Sequence, residues 1–251
     1  MLDWFRRIRK VSQKLTLPSR DASSGRSQVQ LNPSKLTPSA EIYLGQLSYL
    51  ALVTAEILEK DSILAPTASM RQKQLKVAEL YRERHRELTT MISKLGPSAI
   101  DLEDQYASRI DELFNRTSGV GWHESMMRLY VVIGILEHSA KSVGKGLSSA
   151  RRGKVDDLLK SNALMVFTST SLKSEIERIP EIAGRLAMYG RSLVADVLLE
   201  VRHSVSLTAV LTEVPAERVA KARAEFKVLE PFTSELIAAH TVRMDELGLT
   251  A

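Results

Sequence analysis

Chemistry in a helical chain is carried by carboxylates and imidazoles that share a face, and this sequence offers few of them. Its five histidines are His85, His123, His138, His203 and His240. Only Glu200 with His203 forms Glu-x-x-His, the spacing that puts a carboxylate and an imidazole on one side of a helix. Arg202, Ser204 and Ser206 flank that pair, so a solvated or capping role is expected for it, with metal ligation as the alternative. Glu56, Glu79, Glu83, His85, Glu137 and His138 are the other candidate metal residues. Glu79 and Glu83 share a face, but Arg82, Arg84 and Arg86 interleave the candidates there and would repel a dication. The chain has no cysteine, which excludes disulfides, thiolate metal sites and a cysteine nucleophile and fits a reducing cytoplasm. No nucleophile constellation is recognisable, and Gly144-Lys145-Gly146 lacks the strand and the spacing of a phosphate loop.

The elements that must position these groups read as helices throughout. Of 251 residues 44% are hydrophobic, enough for a sizeable core. Alternating β-branched stretches bounded by turns do not occur. A helix is expected from Thr37-Pro38-Ser39 to about Asp61, and a second from about Ala68 to Leu95, stopped by Gly96 and Pro97. Ser98 with Asp101 resembles a capping box opening a shorter helix to about Phe114. Further helices are expected over Trp122 to Lys145, Ser149 to Ile176, Pro180 to Leu211, and Pro215 to Leu247 with a bend at Pro231. Four long helices with shorter accessories specify an all-α, up-and-down bundle with one longer crossover. Trp122, Met126, Met127 and Tyr130 read as core packing rather than a cofactor box.

Charge is distributed unevenly. Residues 1–36 hold eight basic residues against Asp3 and Asp21, whereas the remainder carries 27 basic and 28 acidic residues. The bundle, residues 39–251, therefore has no excess positive charge to hold nucleic acid. Residues 1–15 read as a short amphipathic helix. At 100° per residue, Trp4, Phe5, Ile8, Val11 and Leu15 fall within an arc of about 120°, and Arg6, Arg7, Arg9, Lys10 and Lys14 take the opposite side. Such a helix suits an anionic membrane surface, which implies a peripheral position at the inner face of the cell membrane. A groove on a protein partner and, third, RNA phosphate are the rival surfaces. Residues 16–38, rich in Ser with Pro18, Gly25, Pro33 and Pro38, read as a flexible linker. No apolar run reaches the length of a membrane span, and the charged N-terminus lacks the apolar centre of a signal peptide. Pairing with a second copy of the chain is left open.

Three phrases together resemble one family. They are Asp61-Ser62-Ile63-Leu64-Ala65-Pro66-Thr67, Gly184-Arg185-Leu186-Ala187-Met188-Tyr189-Gly190-Arg191, and Ala239-His240-Thr241-Val242-Arg243-Met244-Asp245-Glu246-Leu247-Gly248-Leu249. They look like the actinobacterial ferritin-like proteins named for similarity to tRNA 2-methylthio-isopentenyladenosine hydroxylase, over about residues 40–251. The resemblance implies a four-helix ferritin-like core that activates oxygen at two irons. It also implies six ligand positions, which carry Ala51, Tyr81, Arg84, Ile133, Ser161 and Leu164 here. None of these supplies a metal-binding carboxylate or imidazole. The expectation is a non-catalytic bundle without cofactor, serving as an interaction or scaffold module. In it the Arg84 guanidinium takes the place of iron beside Glu56 or Glu137, and Tyr81 donates to a carboxylate. The alternative is a di-iron oxygenase with relocated ligands, Glu137 lying one turn beyond Ile133.

Overall fold

The computed structural model describes residues 32–207 and 218–251, and the expected amphipathic helix of residues 1–15 lies outside them. The described residues form helices without strands. Helix α1 (Ala40–Asp61) starts where Ser39 accepts from the amide of Ile42, and a short 3₁₀ turn, Ser62–Leu64, joins it to α2 (Ala68–Ser93), capped by Thr67. The two helices make an extended antiparallel pair. Gly96, at φ +103°, ends this hairpin in a conformation that favours glycine. Ser98 then caps α3 (Ala99–Arg116), which packs on α1 and α8 and forms the long crossover.

The next helix was expected to run without interruption and instead contains a π segment. It comprises α4 (Gly121–Arg128), five π residues (Leu129–Ile133) and α5 (Gly134–Gly144). Every residue of the π segment is buried, because α7, α8 and the helix's own flanks enclose it. The expected helix over Ser149 to Ile176 is two helices, α6 (Ser149–Leu159) and α7 (Ala163–Arg178), separated at residues 160–162. Helix α8 (Ile182–Ser204) ends seven residues before its expected stop at Leu211, and α9 (Arg218–Glu246) carries Pro231 in its interior. Helices α1, α2, α4–α5 and α7 surround the central core, where Ala51, Leu88, Met126, Ile133 and Leu172 are buried. Helices α8 and α9 close it from outside, burying Leu193, Phe232 and Met244.

The expected linker is shorter than residues 16–38. Pro33–Leu36 forms a 3₁₀ turn whose Leu36 is fully buried. The Leu36 carbonyl accepts from the Ser206 amide at 2.8 Å, and the Thr37 hydroxyl donates to the Val143 carbonyl at 2.6 Å. The segment is thus stitched to the ends of α5 and α8. Leu36 is the sole apolar residue after Leu31 and before Ala40, too sparse a pattern to signal packing. Residues 16–31 of the expected linker lie outside the described residues.

Gly146 is what lets this segment approach. A Cβ there would run into Thr37 Oγ1 and the Ser34 backbone carbonyl. The Gly146→Ala variant is expected to lose about 2 kcal/mol, a typical overpacking cost. Thermal unfolding should show this as a fall in Tm of roughly 4–8 °C, and an unchanged Tm would mean that the docked turn contributes nothing.

Candidate functional site

The chemistry-bearing side chains nearest the centre come from α2 and α5. Tyr81 and Arg84 are three apart on α2 and so share a face, and Glu137 lies on α5 just after the π segment. The Tyr81 hydroxyl donates to Glu137 Oε1 at 2.5 Å, and Arg84 Nη1 donates to the same oxygen. The Arg84 guanidinium carbon lies 4.3 Å from the centre of the Tyr81 ring, a cation–π contact that covers its face. Only 3% of Tyr81 and 6% each of Arg84 and Glu137 are exposed.

Burial works against the charge on Arg84, but Glu137 and then Tyr81 outweigh it and hold the guanidinium pKa above its ordinary value. Burial, reinforced by the Glu137 charge, pushes the Tyr81 phenol well above its usual range. Tyr81 is therefore a neutral donor beside a charged guanidinium.

The structure brings together part of the expected constellation. Arg84 and Glu137 meet, but Glu56 takes no part. Its side chain is 56% exposed and its partner is Arg82, at 3.8 Å, because position 56 faces the outer edge of the α1–α2 hairpin. Arg82 also forms a bidentate pair with Glu59. Ala51, Ile133 and Leu164 are buried as expected of core positions. Ser161 is not: it is exposed in the break between α6 and α7, where no helix presents it to the core.

The other candidate ligands are engaged separately. Arg86 binds both Glu79 and Glu83 on the exposed side of α2. His85 Nε2 is 3.0 Å from Glu103 Oε1, which also accepts the Ser48 hydroxyl at 2.6 Å. The His138 ring faces Glu235 across 3.6 Å. Glu200 overturns the expectation of a solvated or capping role. It is buried, and both of its oxygens accept from Arg109 Nε, at 2.9 and 3.0 Å. Burial raises the Glu200 pKa despite that arginine, while His203 is exposed.

Several buried polar groups were not singled out from sequence. Gln74 donates to the Leu58 carbonyl and accepts from Trp122 Nε1 at 2.7 Å, locking α1, α2 and α4 together. Glu175 is shared by His123 and Arg178. Gln74 and Glu175 lie between apolar neighbours at helical spacing, but Trp122 and His123, which join them to α4, are 48 and 52 residues away, and no local pattern announces these pairings.

Two helices in a hairpin, a long crossover and two further helices around one buried level define a ferritin-like bundle. The chain belongs to the actinomycete ferritin-like family: the model of the ferritin-like domain of actinomycetes matches residues 39–216. No curated protein matches the chain.

Two irons, the group that the resemblance implies, do not fit the residues at this level. Ala51, Ile133 and Leu164 offer no donor atoms, and the one carboxylate present, Glu137, is already bound by a guanidinium that would repel a dication. Among the described residues no group of three or more His, Asp or Glu side chains could hold a metal ion.

The cluster behaves as a buried ion pair, so losing one partner strands the other. Arg84→Met is expected to cost about 3–5 kcal/mol, and the double variant Arg84→Met/Glu137→Leu to recover most of that loss. Urea unfolding of the two single variants and the double checks this. Additive losses would show that the charges are not coupled.

Proposed function

We propose that this protein is a ferritin-like bundle without iron chemistry, working as an interaction or scaffold module. The observation carrying this reading is the Tyr81–Arg84–Glu137 cluster, in which a guanidinium is bonded to a lone carboxylate at the level where the resemblance places the metal centre. Apolar Ala51, Ile133 and Leu164 support it, because buried carboxylates without metal would be costly at those positions.

One observation favours the rival, a di-iron oxygenase resembling the tRNA hydroxylase with displaced ligands. The π segment ends one turn before Glu137, and π turns inside helices gather at functional sites. Metal analysis after iron-supplemented expression separates the two. The scaffold reading expects a metal content far below stoichiometric, whereas about two irons per chain would replace it with the oxygenase.

Recruitment belongs to residues 1–15 in this proposal. Their apolar and cationic faces suit an anionic bilayer, each basic residue contributing about 1 kcal/mol near the surface. No helix among the described residues is long and apolar enough to cross a membrane. Deleting residues 1–15 should abolish co-sedimentation with phosphatidylserine-containing vesicles. Vesicle binding that survives the deletion would reject residues 1–15 as the membrane contact, and a full chain that fails to sediment with the vesicles would leave a protein groove as the surface the segment recognises.

A further inference from the structure

A cleft of about 450 Å³ opens on the far side of Glu137, between α5, α7 and α9. That volume lies within the range of small-molecule sites. Lys141, Lys145 and Arg243 line it, together with Ser142 and His138. Glu137 also borders it, but its charge is matched by Arg84, which leaves Glu235 as the one other carboxylate facing three cations. The cleft is therefore electropositive, and its neighbours register this. The His138 pKa is lowered first by burial and then by Arg243, against the opposing pull of Glu235.

Arg243 is held in place and incompletely satisfied. Its Nη2 donates to the Gly134 carbonyl at 2.9 Å, while its Nη1 is buried and makes no hydrogen bond. One turn earlier, His240 is 3% exposed and neither ring nitrogen has a partner. Buried polar atoms without partners are few in native proteins, and among the described residues three of the five such side-chain atoms lie on this single turn of α9. A preorganised guanidinium with a free N–H, two lysines at the rim and a hydroxyl are the parts from which oxyanion sites are made.

We propose that this cleft binds the phosphate group of a small soluble molecule, with Arg243 at its inner end, Lys141 and Lys145 at its mouth, and Ser142 between them. Occupancy does not depend on metal in the core, so the site stands or falls independently of the scaffold reading. Glycerol phosphate and free inorganic phosphate present the same oxygens, and both serve as probes.

The test is a titration of the full chain with each probe at constant ionic strength, followed by amide NMR shifts. Saturable shifts confined to residues 134–145 and 235–243 are expected. Lys141 and Lys145 are exposed, so Lys141→Gln/Lys145→Gln leaves the fold intact and is expected to weaken binding at least tenfold. Lys154→Gln, at an exposed lysine on α6 outside the cleft, should leave it unchanged. Shifts that fail to saturate, or an affinity equal in the double variant and the parent, would overturn the proposal.

Discussion

A charge buried in a protein must find its opposite, and at the centre of this bundle that requirement falls on one carboxylate oxygen. Glu137 Oε1 receives both the Arg84 guanidinium and the Tyr81 hydroxyl. The pair contributes little net stability compared with a well-packed apolar alternative, because desolvation offsets attraction. Its consequence is geometric. Arg84 and Tyr81 belong to the α1–α2 hairpin and Glu137 to the helix that follows the crossover, so the two halves of the bundle can pack in one register only. A slide of one turn along either helix would leave a cation and an anion apart in a low-dielectric interior, a far larger penalty than the loss of a few apolar contacts.

The π segment makes this meeting possible. It adds one residue to the hydrogen-bonding ladder and so turns the following positions about the helix axis. Leu129 to Ile133 are buried on every side, and the helix emerges with Gly134 facing α7 and α9. A Cβ on Gly134 would lie 3.1 Å from Arg243 Nε and 3.2 Å from Met165 Sδ, tight on both sides. The absence of a side chain lets Arg243 reach the Gly134 carbonyl. Thus one local irregularity aims Glu137 at α2 and also seats α9.

How much of this could be read from the sequence depended on how far apart the interacting residues are. Caps and stops were legible where Ser39, Ser98 and Gly96 act on residues within four positions, whereas the Thr67 cap of α2 was not singled out. The all-α bundle followed from apolar periodicity. Arg84 and Tyr81 stood out because the resemblance placed ligands there, and Glu137 because it lay one turn beyond Ile133. Of the two acids offered to Arg84, Glu56 was not the partner, because sequence gives a position along the helix and not the direction its side chain takes. Ser161 falls outside the core because residues 160–162 break the helix expected there, and Asn162, the residue before α7, makes no side-chain cap that would have marked the break. The π segment left no sequence signal: Leu129-Tyr130-Val131-Val132-Ile133 reads as ordinary buried helix, and only the surrounding packing selects the wider turn.

Helix α9 was expected from its length and its proline, but its contribution to the polar chemistry was not. It begins after residue 216, where the match to the family ends. Its apolar side is conventional, with Leu229, Phe232, Leu236 and Met244 completing the core. Its polar side is less so, because His240 and Arg243 are carried inward by the same packing. Burial first, and then the Arg243 charge, lowers the His240 pKa to about 4, so the imidazole is neutral at physiological pH. Protonation would set a second positive charge beside the guanidinium, so any stability His240 contributes is lost as the pH falls from its unfolded value near 6.5 toward 4. Packing that served the core alone would be better met by apolar residues at both positions. A guanidinium kept with an open hydrogen-bonding valence at the edge of an electropositive cleft is better accounted for by an anion that completes it than by the core it flanks.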